Sequence, residues 1–190
     1  MAFSALQEII EYANEHKQAF WEAVLADDMA ERKVSREESL LQMKGIWDAI
    51  LHASRNYEKD RKSASSLVGG QGALMEVYCA NNTPLSGDFS GRVMTQALKM
   101  AESNACMKRI VAAPTAGSCG VLPAVLVPYF EDGRALEENI LKALYTAAGI
   151  GQVIALRASI SGAEGGCQAE IGSASAMAAG ALTFLEGGSA

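Results

Sequence analysis

The sequence has few of the residues on which common catalytic sites depend. Its two histidines, His16 and His52, lie in charged segments, which disfavours a cysteine–histidine hydrolase because that class needs a histidine beside its nucleophile. No lysine lies in an apolar setting beside a phosphate-binding loop, which argues against pyridoxal phosphate. The four cysteines, at positions 79, 106, 119 and 167, contain no pair with zinc-ligand spacing. These absences leave a cysteine–histidine hydrolase, pyridoxal chemistry and a zinc site without support.

Positive charge and long apolar runs are also scarce. The net charge is −6 and no basic stripe is present, so nucleic acid is not an expected partner. The apolar stretch 143–161 is interrupted by Gln152 and Arg157, and the stretch 171–185 is shorter than the roughly 18–20 residues that span a bilayer. We interpret both as buried helices. The N-terminus lacks the pattern of a signal peptide, so we expect no membrane association, a cytoplasmic location and no disulfides.

The two parts of the chain, residues 1–62 and 63–190, differ in composition. Residues 1–62 contain many charges and one glycine, Gly45, whereas residues 63–190 contain 17 of the 18 glycines. The first part is expected to form amphipathic helices that face water. The second is expected to be closely packed, with backbone near backbone or near a ligand. We treat residues 1–190 as one domain made of these two parts.

The apolar spacing predicts a mostly helical chain. One helix is predicted from Ser4 past Leu25, and the sequence Ser35-Arg36-Glu37-Glu38 is a capping box that starts the next. The best strand candidate, 121–127, contains Pro123, which restricts it to a sheet edge or to a helix start. The predicted fold class is therefore all-α, a single compact multi-helix domain.

Three glycine-rich loops share a pattern that suits a ligand. The segments 66–72, 114–120 and 159–167 each combine glycine with hydroxyl side chains, and each leads into a helix. Successive backbone N–H groups in such loops bind anions such as a carboxylate or a phosphate. None of the loops contains the lysine of a P-loop. The alternative is that the glycines only let helices cross closely, but three similar loops favour a converging pocket.

Cys167 stands at the start of a predicted helix. It follows Gly165-Gly166 and precedes the small-residue stretch 173–182. Backbone N–H groups and the positive end of the helix dipole favour the thiolate, which ligates metals or attacks electrophiles. The alternative is a small buried cysteine that packs as an apolar residue. Glu164 and Glu170 flank it and could do acid–base work or could simply complement the helix dipole.

Three segments resemble the iron–sulfur L-serine dehydratase family. They are APTAGSCGVLPAVL (113–126), SISGAEGGCQAEIGSASAMAAGAL (159–182) and SSLVGGQGALMEVY (65–78), and the similarity is to the alpha chain or the equivalent catalytic domain. The resemblance implies an all-helical catalytic domain that converts L-serine to pyruvate and ammonia without pyridoxal phosphate, a step of amino-acid catabolism and gluconeogenesis. It also implies a [4Fe–4S] cluster held by three cysteines, with one iron open to act as a Lewis acid on the departing hydroxide.

The resemblance places Cys167 at the family's first cluster cysteine and gives the other three cysteines no ligand role. The family's two further cluster cysteines lie downstream, and this sequence has no cysteine after Cys167. We therefore expect a truncated alpha chain that offers one ligand of three, holds no stable cluster and is inactive alone. A separate beta chain is the implied partner, and the apolar second half could also support self-association.

The substrate carboxylate is expected to meet the first two glycine-rich loops. The pocket-lining candidates are Ser65, Ser66, Gly69, Gly70, Thr115 and Gly117. No catalytic base is assigned from the sequence. Two alternatives stay open: a related iron–sulfur lyase that acts on L-cysteine, and a non-catalytic helical module that binds a carboxylate metabolite or a partner chain.

Overall fold

The computed structural model describes residues 3–189, and this range contains α-helices, one 3-10 turn at Ala116–Ser118 and no strand. The α-helices within it are α1 (Leu6–His16), α2 (Phe20–Arg32), α3 (Arg36–Arg55), α4 (Gln71–Asn81), α5 (Asp88–Ala105), α6 (Val121–Glu131), α7 (Glu137–Arg157), α8 (Gly162–Gly165) and α9 (Cys167–Leu185). The all-α class predicted from the sequence is confirmed.

The helices group into two compact units. Unit 1 comprises the chain up to Trp47 and from Ala135 onward, and unit 2 comprises Asp48–Arg134. The chain passes from unit 1 to unit 2 within α3. The change of composition at residues 62–63 falls inside unit 2. The predicted division into 1–62 and 63–190 therefore does not coincide with these units, and it stays a prediction.

Helix α7 is the central element of unit 1. It packs against α9, α2 and α1, and its Tyr145 belongs to the buried core. Two glycines permit this close packing. A Cβ atom built on Gly149 would lie 2.5 Å from Cγ2 of Val24 in α2, and one built on Gly151 would lie 2.8 Å from Sδ of Met177 in α9. The glycines of α7 therefore bring its backbone near two neighbouring helices, as the composition predicted.

Helix α5 is the central element of unit 2, where it packs against α4 and α6. Glycines again mark the closest approaches. A Cβ atom on Gly72 in α4 would lie 3.0 Å from the backbone nitrogen of Lys99, and one on Gly120, just before α6, would lie 3.2 Å from the carbonyl oxygen of Ala97. Both contacts are with α5, so the ends of two glycine-rich loops lie against this helix.

The single N-terminal helix predicted from Ser4 past Leu25 is wrong. The chain forms α1 and α2 instead, because Lys17 adopts a left-handed conformation, with φ 53°, and ends α1. Helix α2 then begins at Phe20, and the Glu22 carboxylate accepts a hydrogen bond from the backbone N–H of Ala19 at 3.1 Å. A lysine in this conformation is uncommon, and no glycine or proline marks the break in the sequence.

The start of α3 agrees with the predicted capping box. The backbone N–H of Ser35 donates to the Glu38 carboxylate at 2.8 Å, and the backbone N–H of Glu38 donates to Ser35 Oγ at 3.2 Å. The segment 121–127, the best strand candidate, is helical and forms most of α6. Pro123 lies in the first turn of α6, where a missing backbone N–H has no partner to lose.

Helix α7 is the one helix among the described residues that is long and apolar enough to cross a membrane by length and composition alone. Half of its apolar stretch is buried within the structure, and it packs against three helices of unit 1. A core helix of a globular protein has the same length and composition. The predicted lack of membrane association stays a prediction.

Candidate functional site

Cys167 is the first residue of α9. It follows Gly166, whose φ of 76° suits glycine, and its side chain is exposed. The other cysteines, all within the described range, are half-buried (Cys79) or buried (Cys106 and Cys119). The predicted position at a helix start is confirmed, and α9 begins six residues earlier than the stretch 173–182 indicated. The alternative of a buried packing cysteine does not describe Cys167.

The two glutamates that flank Cys167 have specific contacts in the loop before α9. Ser159 Oγ donates a hydrogen bond to the Glu164 carboxylate at 2.9 Å. The Glu170 carboxylate lies close over the backbone of Gly162, since a Cβ atom there would be 2.6 Å from Glu170 Oε2. The loop thus holds Glu164 through a hydroxyl and accommodates Glu170 through a glycine. Neither contact assigns a catalytic role to these carboxylates.

The first glycine-rich loop satisfies much of its own backbone. The backbone N–H of Ser63 donates to the carbonyl of Val68 at 2.9 Å, and the N–H of Val68 donates to Ser63 Oγ at 3.2 Å. The N–H of Ser66 donates to the carbonyl of Ser63 at 2.8 Å, and the N–H of Leu67 donates to Ser65 Oγ at 3.4 Å. Three successive N–H groups that were predicted to face a ligand anion are therefore engaged within the loop.

The helix start that follows this loop is engaged by a buried carboxylate. Glu102 in α5 is 4% exposed and accepts hydrogen bonds from the backbone N–H groups of Gln71 at 2.6 Å and Gly72 at 3.3 Å. It also accepts one from Tyr57 Oη at 2.6 Å, and Tyr57 Oη accepts one from the backbone N–H of Ala73 at 3.3 Å. Burial and the hydrogen bond to Glu102 raise the pKa of Tyr57 to about 12. The anion at the N-terminus of α4 is thus supplied by the protein itself.

The second glycine-rich loop is organised around the buried hydroxyl of Ser118. The backbone N–H of Thr115 donates to Ser118 Oγ at 3.3 Å, and the two side-chain hydroxyls lie 3.1 Å apart. The Asn104 side chain in α5 donates to the carbonyl of Ala116 at 3.0 Å. Gly117 lies exposed in the 3-10 turn between these contacts. Asn104 therefore ties the second loop to the same helix that carries Glu102.

Helix α5 holds both loops of unit 2 through residues that the sequence analysis missed. Glu102 and Asn104, two positions apart, contact the loop before α4 and the loop before α6. One signal was available, because Glu102 is the sole acidic residue between Val93 and Cys106 and has helical spacing from Cys106. A lone carboxylate on the apolar face of a helix indicates a buried partner. The two loops that contain the predicted substrate-binding residues of unit 2 are thus attached to one helix.

Comparison with known proteins assigns the family. A family model described as "Serine dehydratase alpha chain" matches residues 15–190. The chain belongs to the serine dehydratase alpha chain family. It is 38% identical over 184 residues to the L-serine dehydratase alpha chain of Peptoniphilus asaccharolyticus, an alignment that covers 96% of this chain and 63% of that one. It is 35% identical over 186 residues to the probable L-serine dehydratase alpha chain of Bacillus subtilis, which covers 98% and 62%.

Within the family, the chain spans less than two thirds of the length of these alpha chains. A shorter match with higher identity exists to L-serine dehydratase TdcG of Escherichia coli, with 51% identity over 94 residues, covering 49% of this chain and 21% of that one. The resemblance found in the sequence motifs is therefore confirmed at the level of the family.

An iron–sulfur cluster would require more ligands than the described residues bring together. Protein-bound clusters are held by sets of thiolates. Among residues 3–189, no group of three or more histidine, cysteine or acidic side chains lies close enough together to hold a metal ion. Burial raises the pKa of the Cys119 thiol, which disfavours its ligand form, and Cys106 is buried as well. The described residues do not make a complete cluster site, and Cys167 is the exposed thiol among them.

The predicted site residues fall in both units. Cys167 lies in unit 1, whereas the two loops that contain the substrate-binding candidates lie in unit 2. Ser65, Ser66 and Gly117 are exposed, and Gly69 is buried. The predicted convergence of all three loops stays a prediction, as do the roles of the individual candidates.

Proposed function

We propose that this chain takes part in the conversion of L-serine to pyruvate and ammonia. The observation that carries the proposal is the match to L-serine dehydratase alpha chains over 96% and 98% of the chain. An exposed cysteine at the first position of a long helix supports it, because an accessible thiol can reach a metal ion or a substrate. The chain acts as the alpha chain of a cytoplasmic enzyme, together with a beta chain and without pyridoxal phosphate.

Cys167 is proposed as one thiolate ligand of a [4Fe–4S] cluster. Since the described residues offer no complete ligand set, the remaining ligands come from outside them. The chain by itself is expected to hold no cluster and to have no turnover.

The loops of unit 2 are proposed to bind the carboxylate of L-serine. Ser65 and Ser66 present hydroxyl groups on the surface, and Thr115 presents one beside the exposed Gly117. Gly69 has a φ of 137°, and the carbonyl oxygen of Gly69 accepts a hydrogen bond from Lys62 Nζ, so the loop keeps a fixed path before α4. Gly70 completes the turn with a φ of 91°. Hydroxyl donors of this kind orient a carboxylate for reaction.

The decisive experiment compares two cysteine variants of the enzyme assembled with its beta chain under anaerobic conditions. Cys167→Ser is expected to abolish both pyruvate formation from L-serine and the visible absorbance of the iron–sulfur cluster. Cys79→Ser is the matched control, because Cys79 is half-buried in unit 2 and has no proposed ligand role. It is expected to retain activity and absorbance.

Three results would contradict the proposal. Retention of full activity by Cys167→Ser would remove Cys167 from the reaction. Pyruvate formation from L-cysteine but not from L-serine, measured with the wild-type assembly, would replace the dehydratase assignment with a desulfidase. A complete cluster spectrum from this chain alone, after reconstitution with iron and sulfide, would contradict the ligand count.

A further inference from the structure

The buried carboxylate of Glu102 occupies the place where an anion binds at a helix start. The first N–H groups of a helix lack partners within the helix and attract negative charge. In α4 these groups belong to Gln71 and Gly72, and both donate to Glu102, at 2.6 and 3.3 Å. Glu102 is 4% exposed, so this charge is kept from water and compensated by the helix start.

Tyr57 extends the same contact to a third N–H group. Its hydroxyl donates to Glu102 at 2.6 Å and accepts from the backbone N–H of Ala73 at 3.3 Å. The Tyr57 ring also lies beneath the Lys99 ammonium, at 5.5 Å from the ring centroid. Three successive backbone donors of α4 are therefore fixed by two side chains from outside the helix.

The loop that carries Ser65 and Ser66 is held at both of its ends. At its start, Ser63 exchanges two hydrogen bonds with Val68. At its other end the chain enters α4 directly through Gly70, and the position of this first turn is set by Glu102. A change at Glu102 is therefore transmitted to the loop through the backbone, without any contact between Glu102 and a substrate.

We propose that Glu102, assisted by Tyr57, is a positioning residue that fixes the substrate loop 63–70 through the first turn of α4. The inference rests on the proposed function, because it assumes that this loop meets L-serine. The proposal also implies that the first backbone N–H groups of α4 bind Glu102 and not the substrate carboxylate. That carboxylate then binds the hydroxyl groups of Ser65 and Ser66.

The first measurement is hydrogen exchange of individual amides in the chain itself. Glu102→Ala is expected to reduce the protection of the Gln71, Gly72 and Ala73 amides by about tenfold or more, the effect of losing a charge-assisted hydrogen bond. Sodium formate is expected to restore that protection by placing a carboxylate at the vacated position, whereas sodium chloride at equal ionic strength is not. Glu76→Ala is the matched control, since Glu76 is an exposed carboxylate on α4, the helix whose amides are measured.

The second measurement uses the assembled enzyme and the milder variant Glu102→Gln, which keeps the size of the side chain. We expect its KM for L-serine to rise about tenfold or more while the iron–sulfur absorbance stays that of the wild type. Glu102→Asp is expected to regain part of the affinity, and Glu76→Gln to leave KM unchanged. A merely structural contact would change stability without this selective change in KM.

Clear outcomes would overturn the inference. Unchanged amide protection in Glu102→Ala would show that Glu102 does not hold the first turn of α4. Loosened amides with an unchanged KM would show that the turn does not position a substrate loop. If the wild-type assembly makes no pyruvate from L-serine, the proposed function fails, whereas the exchange measurement still decides whether Glu102 holds this turn.

Discussion

Replacement of Gly72 by alanine tests the close packing of α4 against α5. A Cβ atom at position 72 would lie 2.7 Å from Cγ of Lys99, and 3.0 and 3.1 Å from its backbone N and Cα. The Lys99 side chain can rotate away, but its backbone cannot, because α5 is packed between α4 and α6. The first turn of α4 must therefore move outward by several tenths of an ångström.

The magnitude follows from two opposing effects. Overpacking against a fixed backbone costs about 1–3 kcal/mol, and movement of the turn also weakens the hydrogen bond from the Gly72 N–H to Glu102. Alanine in a helix gains about 1 kcal/mol over glycine. We expect a net loss of about 1–2 kcal/mol in the free energy of unfolding, since the contact with the backbone outweighs the propensity gain.

The assay is urea unfolding at pH 7, followed by far-UV circular dichroism. Gly45→Ala in α3 is the matched control, because a Cβ at that position would meet no atom within 4 Å beyond its chain neighbours and the nearby backbone of its own helix. It is expected to stabilise the chain by up to about 1 kcal/mol. If Gly72→Ala is as stable as Gly45→Ala, the inferred contact between α4 and α5 is wrong.

Two further predictions concern the free energy of unfolding, one in each unit. The pKa of Tyr57 is raised to about 12 in the folded chain, whereas the pKa of tyrosine in the unfolded chain is about 10. The neutral Tyr57 side chain therefore contributes stability that is fully present below about pH 10 and is lost as the pH rises through about 12. Urea unfolding at successive pH values should show wild type losing about 1–2 kcal/mol over this window relative to Tyr57→Phe, and parallel curves would refute it. Gly149→Ala should cost about 1–3 kcal/mol through its contact with Val24, and most of that cost should vanish in a Val24→Ala background. Strict additivity of these two changes in thermal unfolding would refute the contact.

Local signals in the sequence were enough for several features of the fold. The Ser35–Glu38 capping box forms as predicted because both partners lie within one turn. The glycine pair before Cys167 identified a helix start because glycine readily adopts the positive φ seen at Gly166. Such features depend on neighbours within a few residues, and the sequence displays those neighbours directly.

A helix break without a sequence mark and contacts with distant partners were both missed. The break after α1 relies on a lysine in a left-handed conformation, and Lys17 carries no sequence mark of this. The donors before and within the first turn of α4 were expected to meet a ligand, but Ser63 and Glu102 engage them. Glu102 is separated by 31 positions from Gln71, so only the packing of α5 reveals the pair. Sequence motifs therefore found the loops, whereas tertiary contacts determine which of their donors are available.

The shared attachment of two loops to the last turn of α5 has a consequence for protein engineering. Glu102 serves the loop before α4 and Asn104 serves the loop before α6. If either loop is exchanged for that of a relative while residues 102–104 stay unchanged, the new loop need not match the hydrogen bonds that Glu102 and Asn104 make. A successful chimera would exchange both loops together with residues 102–104, because these segments are joined by hydrogen bonds.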